Sequence, residues 1–234
     1  MQKYTWTLIG PPDVDRRRFQ DFVRGGLARN AAERVAGVIS ASVTLQEIDA
    51  YSSAGVRLGE GERPVDAVLE VTSSRSFGPV REANAYLSAN CGHVQGWRMH
   101  PTSIFDASAP VRPGARSPWP QAIYFNQRLD GTTPEHFDRN WYVHAGHLDG
   151  NEAESDQSRA IQAERAAGSP GGRYIQNRVI EPVTPTAWVT HAYAQIVSPA
   201  FVGALGARHA PRHGEAVFGE WPPLIVQGYE HRIL

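Results

Sequence analysis

The chain has 234 residues, of which 41% are hydrophobic and 20% are charged, and its formal net charge is −1. This length allows one large domain or two small ones with a real core, and the near-neutral charge without a basic tail argues against a nucleic-acid partner. The single cysteine, Cys91, excludes an intramolecular disulfide framework and favours a reducing compartment. The sequence shows neither a signal-peptide pattern nor a run of about 18 apolar residues, so we expect a cytoplasmic protein with no membrane partner.

The first part of the chain is predicted to alternate strands and helices. Hydrophobic periods of two residues indicate strands, and periods near 3.6 indicate helices. In chain order we predict a strand at 4–9, a helix at 15–33, strands at 38–47 and 67–71, a helix at 78–89 and a strand at 94–99. The order is β-α-β-β-α-β.

A proline-rich stretch interrupts this pattern. Residues 107–120, ASAPVRPGARSPWP, contain four prolines, which lack an N–H donor and disfavour both helices and strand ladders. We therefore predict a linker at 108–120 between a first unit at 1–107 and a second at 121–234. In the second unit we predict a strand at 122–127, a helix at 133–148, strands at 174–180 and 187–197, a short helix at 199–207 and a strand at 224–233.

Both units thus have the order of a ferredoxin-like fold, and the chain is predicted to be α+β. The closing strands also share a short motif, VQGW at 94–97 and VQGY at 226–229, which indicates duplication. A ferredoxin-like sheet has helices on one face, so its other face must be buried. We expect the two repeats to form a dimeric α+β barrel-type pseudo-dimer, with helices outside and a cleft between sheet and helices in each repeat.

The helix predicted at 133–148 is the strongest candidate for a functional element. Threonine at its start, followed by Pro134 and Glu135, is typical of a helix N-terminus. One helical stripe is expected to face the sheet, and it comprises Phe137, Trp141, His144 and Leu148. His144 is either a buried histidine bonded to a backbone carbonyl or a general acid/base in a cleft.

The first repeat has no equivalent of this histidine. Aligning Phe19 or Phe22 with the second helix places Gly25 or Gly26 opposite His144. A glycine would be an unusual replacement if the imidazole only filled space. We therefore predict that the first repeat lacks the site and that His144 is catalytic.

Strand alternation supplies candidates for the rest of the site. A pocket with tyrosine and asparagine donors would suit a planar ligand with oxygen substituents, and it could hold a developing enolate or phenolate oxygen. The predicted substrate-binding residues are Trp141, His147, Tyr124, Asn126, Tyr174, Asn177, His191 and Tyr193. Alternation does not say which strand face lines the cleft, and ordinary polar packing remains the alternative.

The segments TTPEHFDRNWYVHAGHL and RYIQNRVIEP resemble the EthD family of dimeric α+β barrel proteins. The resemblance depends on Phe137, Trp141 and the His144-Ala145 pair, followed by the strand at 174–177. It covers residues 121–234 and is only topological over 1–107. The resemblance implies a barrel that other members build by homodimerisation. It also implies decarboxylase, dehydratase, isomerase or cyclase chemistry on small aromatic compounds, and some relatives are cofactor-free monooxygenases or bind haem.

Residues 149–172 depart from the family pattern. This polar stretch reads as an inserted helix that ends in a Gly/Pro turn. It is either a solvated excursion or a lid over the cleft, because its ends flank the histidine motif.

The sequence gives weaker support for metal, haem, thiol or nucleotide chemistry. His144 and His147 could be joined by His136, Asp138 or Asp149, but histidines three residues apart without a clear third ligand do not predict a metal. Haem ligation has precedent only among relatives of the fold. Cys91 has no histidine partner and is expected to pack as a small hydrophobe. No glycine-rich loop follows a strand as a nucleotide fingerprint must.

We therefore predict a cofactor-independent enzyme of the lyase or isomerase type. It would act on a small aromatic or polyketide-like carbonyl compound, with His144 as general acid/base. The alternatives are a cofactor-free monooxygenase on the same fold and a non-catalytic small-molecule-binding protein of a degradation pathway. Both a monomer and a homodimer are compatible with the pattern.

Overall fold

The structure is a computed structural model, and it describes residues 1–47, 65–75, 80–106, 110–144, 173–185, 190, 192–197 and 224–234. Only the backbone is described for 104–106, 140–144, 192–194, 196 and 224–225. The inserted segment 149–172 and the short helix predicted at 199–207 lie outside the described residues.

The described elements follow the predicted alternation of strands and helices. The strands are β1 (Gln2–Ile9), β2 (Val38–Leu45), β3 (Ala67–Ser73), β4 (His93–Asp106), β5 (Arg116–Asn126), β6 (Arg173–Pro182), β7 (Ala192–Val197) and β8 (Leu224–Arg232). The helices are α1 (Arg16–Phe22), α2 (Ala28–Ala32), α3 (Arg81–Asn90) and α4 (Pro134–His144), and a π-helical turn, Val23–Leu27, joins α1 to α2. None of the helices that the structure describes has the length and apolar composition to cross a bilayer.

Side-chain caps set where two of these helices begin. The Asp15 carboxylate accepts hydrogen bonds from the amides of Arg17 (2.9 Å) and Arg18 (3.2 Å), which have no carbonyl partner in the first turn of α1. At α4 the Thr133 hydroxyl accepts from the amide of His136 at 3.2 Å. The threonine start predicted for this helix is confirmed.

The eight strands close into an antiparallel barrel. Their order around it is β1-β3-β2-β8-β5-β7-β6-β4. We call β1–β4 the first half and β5–β8 the second half, and the internal order of each half is the same, fourth-first-third-second. The halves join at two antiparallel seams, β2 with β8 and β4 with β6. The predicted α+β barrel is thus confirmed.

The barrel has an outer face, covered by helices, and a lumen. In the first half, Trp6 and Leu8 of β1 point outward and share a core with Phe19, Leu27 and other helix side chains. Trp97 of β4 and Phe125 of β5 instead meet across the lumen, with ring centroids 5.6 Å apart. Alternation along each strand separates these two sets because successive side chains point to opposite faces.

Hydrogen bonds to backbone and side chains reinforce both seams. At the β4–β6 seam, the Gly96 carbonyl accepts from the amide of Val183 (2.8 Å), and its amide donates to the Thr184 hydroxyl (2.9 Å). At the β2–β8 seam, the Gln227 carbonyl accepts from the amide of Glu47 (3.0 Å), and its amide donates to Gln46 Oε1 (2.8 Å). The two partners follow in opposite order, 183 then 184 against 47 then 46, so Gly96 and Gln227 are not equivalent.

The ladder pairs relate the halves instead. Thr5 opposite Glu70 matches Ile123 opposite Gln195, and Ser42 opposite Arg232 matches Ile175 opposite Ser103. Tyr124 is therefore the counterpart of Trp6, and Ile225 that of Gly96.

The register also corrects the use of the VQG motif as evidence for duplication. The motif match equates Gly96 with Gly228, three residues away from the structural counterpart, Ile225. A slip by an odd number of residues moves every side chain to the other face. Accordingly, Val94 belongs to the helix-covered core and Val226 to the apolar core of the lumen, so the motif does not relate equivalent positions.

The predicted linker is shorter than expected. β4 runs to Asp106 rather than ending near Met99, and β5 begins at Arg116, inside the proline-rich stretch. The ladder with β8 passes from Arg116 opposite His231 to Pro120 opposite Tyr229, so it is irregular where the prolines lie. Prolines are tolerated in strands at such irregularities because no ladder donor is needed there.

Candidate functional site

The helix that carries the histidine motif lies against the outer face of the second half. The Asp138 carboxylate of α4 binds the guanidinium of Arg178 on β6, with Oδ2 and Nη2 3.2 Å apart. Phe137, on the same helix, is 2% exposed. This side of the barrel is where the sequence places a cleft.

The sheet under this helix carries buried, uncharged polar side chains. They are Tyr124 and Asn126 on β5 and Tyr174 and Gln176 on β6. Gln176 Nε2 donates to the Tyr174 hydroxyl at 3.1 Å, and the Thr190 hydroxyl donates to the Asn126 carbonyl at 3.0 Å. Burial raises the pKa of Tyr174 above its usual value, while the hydrogen bond from Gln176 lowers it less. The phenol is therefore neutral and retains its proton as a donor.

The same face of the first half is largely apolar. The strand register makes Tyr124 the counterpart of Trp6 and Asn126 that of Leu8. Where the first half places a leucine in a closed hydrophobic core, the second half places a buried amide.

Three of the predicted strand residues lie together. Tyr124, Asn126 and Tyr174 are buried on the helix-covered face, on two strands of the same half. Asn177 and Tyr193 do not join them. They occupy paired positions on β6 and β7, and Gln195, two residues beyond Tyr193, bonds across the lumen to Glu70. The strand positions of Asn177 and Tyr193 therefore belong to the lumen face, and their role in substrate binding stays a prediction.

For the remaining predicted site residues the structure describes the backbone at most. Trp141 and His144 belong to the last turn of α4, where only the backbone is described. His147 and His191 lie outside the described residues. The role of His144 thus remains a prediction.

Sequence reasoning missed Gln176 and Gln227. Gln176 shares a strand face with Tyr174, and alternation could have found it because residues two apart face the same way. Gln227 was hidden inside the VQG motif. It follows Val226 of the lumen core and pairs with Ala122, so strand alternation puts it on the helix-covered face.

A second polar cluster lies in the lumen and joins the halves. Lys3 and Glu70 of the first half form an ion pair, and Gln195 Nε2 donates to Glu70 Oε2 at 3.0 Å. In the second half, Arg173 Nη2 binds Glu230 Oε2 at 2.7 Å. Gln121 links the pairs, accepting from both Gln195 and Arg173 at 3.0 Å. Burial lowers the pKa of Lys3, and the negative charge of Glu70 opposes that shift.

The residues that the structure describes contain no candidate metal site. Among them, no three side chains of the His, Cys, Asp and Glu types come close enough together to hold an ion. The metal and haem alternatives involve His144 and His147, whose side chains are not described.

The closed antiparallel barrel with helices outside it defines the dimeric α+β barrel type of fold, here completed by one chain. A solved structure described as an anthrone oxidase-like protein is similar over 99% of this chain and 92% of its own, with a TM-score of 0.51 and 10% identity. This likeness supports the fold alone. No protein-family profile matches the sequence, and no curated protein matches it, so membership of the EthD family is not confirmed.

Proposed function

We propose that the second half holds the active site of a cofactor-independent enzyme that processes a small hydroxylated aromatic or carbonyl compound. The observation that carries this proposal is the buried polar floor of Tyr124, Asn126, Tyr174 and Gln176. Buried polar groups cost free energy unless they form hydrogen bonds. The first half closes the corresponding face with largely hydrophobic side chains, among them Trp6 and Leu8, so packing alone does not require so many polar groups there.

In this reaction helix α4 would supply the proton-transfer group, and the polar floor would supply the hydrogen-bond donors. His144 would take a proton from carbon next to the substrate carbonyl, since imidazole titrates near neutral pH. The hydroxyl groups of Tyr124 and Tyr174 would donate hydrogen bonds to the resulting enolate or phenolate oxygen. Return of the proton at another position gives isomerisation, and loss of water, carbon dioxide or a carbon fragment gives a lyase reaction.

A cofactor-free oxygenase is the second candidate. The description of the similar structure as anthrone oxidase-like favours it. In that reaction the same enolate would meet dioxygen, and a ring methylene would become a carbonyl. One oxygen atom enters the product, and the other leaves as water with the two hydrogens removed.

We also propose that the halves are diverged ferredoxin-like repeats related to the EthD type. The shared strand order, the matching ladder pairs and the similar helix caps of Asp15 and Thr133 support this. The polar floor would then have developed in one repeat only.

The test is turnover of hydroxylated polycyclic ketones, followed by absorbance and by an oxygen electrode. We expect His144→Ala to lower kcat by about 100-fold or more, with an unchanged Tm. The control is His100→Ala, because His100 is exposed on β4. Oxygen consumption matched to product would select the oxygenase, and unchanged kcat in His144→Ala would exclude the proposed role.

A further inference from the structure

The hydroxyl of Tyr174 accepts a hydrogen bond but donates none to the residues that the structure describes. Tyr174 is 1% exposed on β6, and its hydroxyl oxygen accepts from Nε2 of Gln176 at 3.1 Å. An amide nitrogen can only donate, so this bond leaves the hydroxyl proton unused. The hydroxyl group of a buried tyrosine usually finds a partner for that proton. A ligand oxygen next to Tyr174 would be such a partner.

The first half has no polar pair at the corresponding place. The ladder register makes Ala41 the counterpart of Tyr174 and Val43 that of Gln176. Ala41 and Val43 both belong to the hydrophobic core of the first half. The second half keeps the two positions buried but gives them a phenol and an amide.

Packing accounts for the ring of Tyr174 but not for the amide beside it. In the first half, Tyr4 of β1 and Ala41 of β2 pair with the same residue of β3. In the second half, Ala122 of β5 and Tyr174 of β6 pair with the same residue of β7. The large and the small side chain have exchanged strands, so the bulk of the row is kept. Gln176 instead replaces a valine, and burying its amide costs free energy unless the amide forms hydrogen bonds.

We infer that Gln176 is a positioning residue, which holds the Tyr174 hydroxyl so that its proton is donated to an oxygen atom of the ligand. The bond from Gln176 occupies a lone pair of the phenol oxygen and restricts the direction of the O–H group. It also strengthens the hydrogen bond that the hydroxyl itself donates. The ligand oxygen at Tyr174 is consequently an acceptor, either a carbonyl or an ionised hydroxyl. This inference rests on the proposed function for the presence of a ligand, and it narrows the ligand class to small aromatic ketones and their enolates.

The test compares 1-indanone with indane, a pair that differs by a carbonyl oxygen, titrated into the full chain by calorimetry. Tyr174→Phe removes the hydroxyl, and we expect it to weaken 1-indanone binding about tenfold. Gln176→Met keeps the side-chain length without a donor. It should weaken 1-indanone about threefold, because the phenol is no longer held. Neither substitution should change the affinity for indane.

A double variant separates positioning from packing. If Gln176 acts through the phenol, Gln176→Met has no further effect once Tyr174→Phe is present. The control is Gln20→Met, the same substitution at a buried glutamine of α1 whose amide donates to backbone carbonyls of the first half. It should leave both affinities unchanged. Circular dichroism and Tm establish that each variant folds, and Gln176→Val, which introduces the residue type of the first half, replaces Gln176→Met if that variant does not fold.

Equal losses of affinity for 1-indanone and indane in Gln176→Met would assign the amide to packing and overturn the inference. Unchanged 1-indanone binding in Tyr174→Phe, or additive losses in the double variant, would overturn it as well. If the wild type does not bind 1-indanone, the inference is wrong, and turnover in His144→Ala alone decides the proposed function. If the double variant behaves as expected while His144→Ala keeps full turnover, the inference stands and the proposed catalytic role of His144 fails.

Discussion

Tyr174 and Asn177 are three residues apart on one strand and belong to opposite faces of the barrel. Alternation along β6 separates them in the sequence, but it does not say which set faces the helix. In most sheets the set of apolar side chains identifies the buried face. Here both faces are buried and both carry polar groups, so the pattern alone could not assign Asn177. Residues two apart on a strand share a face, as Tyr124 and Asn126 do. Asn177 is three residues from Tyr174 and therefore lies on the other face.

The surroundings of a single side chain also control its reactivity. Burial raises the pKa of the Cys91 thiol to about 12, and the charge of Asp66 adds to the shift. The thiolate, which is the nucleophile, is then about a thousandfold scarcer at pH 8 than for an ordinary thiol of pKa ~8.5. We expect iodoacetamide to alkylate the native chain at least 100-fold more slowly than the urea-unfolded chain. Intact-mass spectrometry measures both rates, and native alkylation within tenfold of the unfolded rate would contradict the assignment.

The elements were largely predictable because their signals are local. Hydrophobic period and capping residues predict most strands and both long helical segments, including the start of α4 at Pro134. The extension of β5 back to Arg116 was not predictable in this way. Pro118 and Pro120 argue against a strand locally, and the partner that makes an irregular ladder possible, β8, lies about a hundred residues further along the chain.

The stabilising effect of the Asp15 cap on helix α1 can be measured by substitution. Asp15→Ala removes the acceptor for the amides of Arg17 and Arg18, so the free energy of unfolding should fall by about 0.5–2 kcal/mol. Asp13→Ala is the matched control, because Asp13 is exposed just before the cap. Urea denaturation at pH 7 measures both variants. Equal losses in the two would assign the effect to general charge rather than to the cap.

At the scale of the molecule, a buried polar cluster and two seams hold the halves together. The lumen cluster joins Lys3 and Glu70 of one half to Gln195, Gln121 and Arg173 of the other. No sequence pattern predicts this cluster, because its members are spread over most of the chain. Only closure of the barrel brings them together.

Removing one charge of the lumen pair should be worse than removing both. Lys3→Met leaves Glu70 in the lumen without its ammonium partner, and we expect a loss of about 3–5 kcal/mol in the free energy of unfolding. Lys3→Met combined with Glu70→Met should be more stable than Lys3→Met alone. Urea denaturation of the two single variants and the double variant gives the coupling free energy. Additive losses would mean that the two charges do not interact.

The β2–β8 seam should weaken in acid through His231. The imidazole is buried, with Nε2 3.9 Å from Glu47 Oε2. Burial lowers its pKa below 6.5, and the cations Arg24 and Arg116 act in the same direction against the opposing Glu47. The unfolded chain therefore binds the proton first as pH falls, so the contribution of this group to stability is lost from about pH 6.5 downward.

His231→Gln should consequently lose less stability than the wild type between pH 7.5 and 5. The control is His100→Gln, whose imidazole is exposed and should leave the pH dependence unchanged. Chemical denaturation at both pH values measures the difference. An identical acid loss in His231→Gln and wild type would rule out this histidine as the source.

Because one polypeptide supplies both sides of each seam, the two halves meet at an effective concentration that dilution cannot lower. A barrel assembled from two separate subunits comes apart as its concentration falls, and its melting temperature follows. The melting temperature of this barrel is set within a single molecule. Each half can also accept a substitution that its counterpart does not share, which a pair of identical subunits can never do.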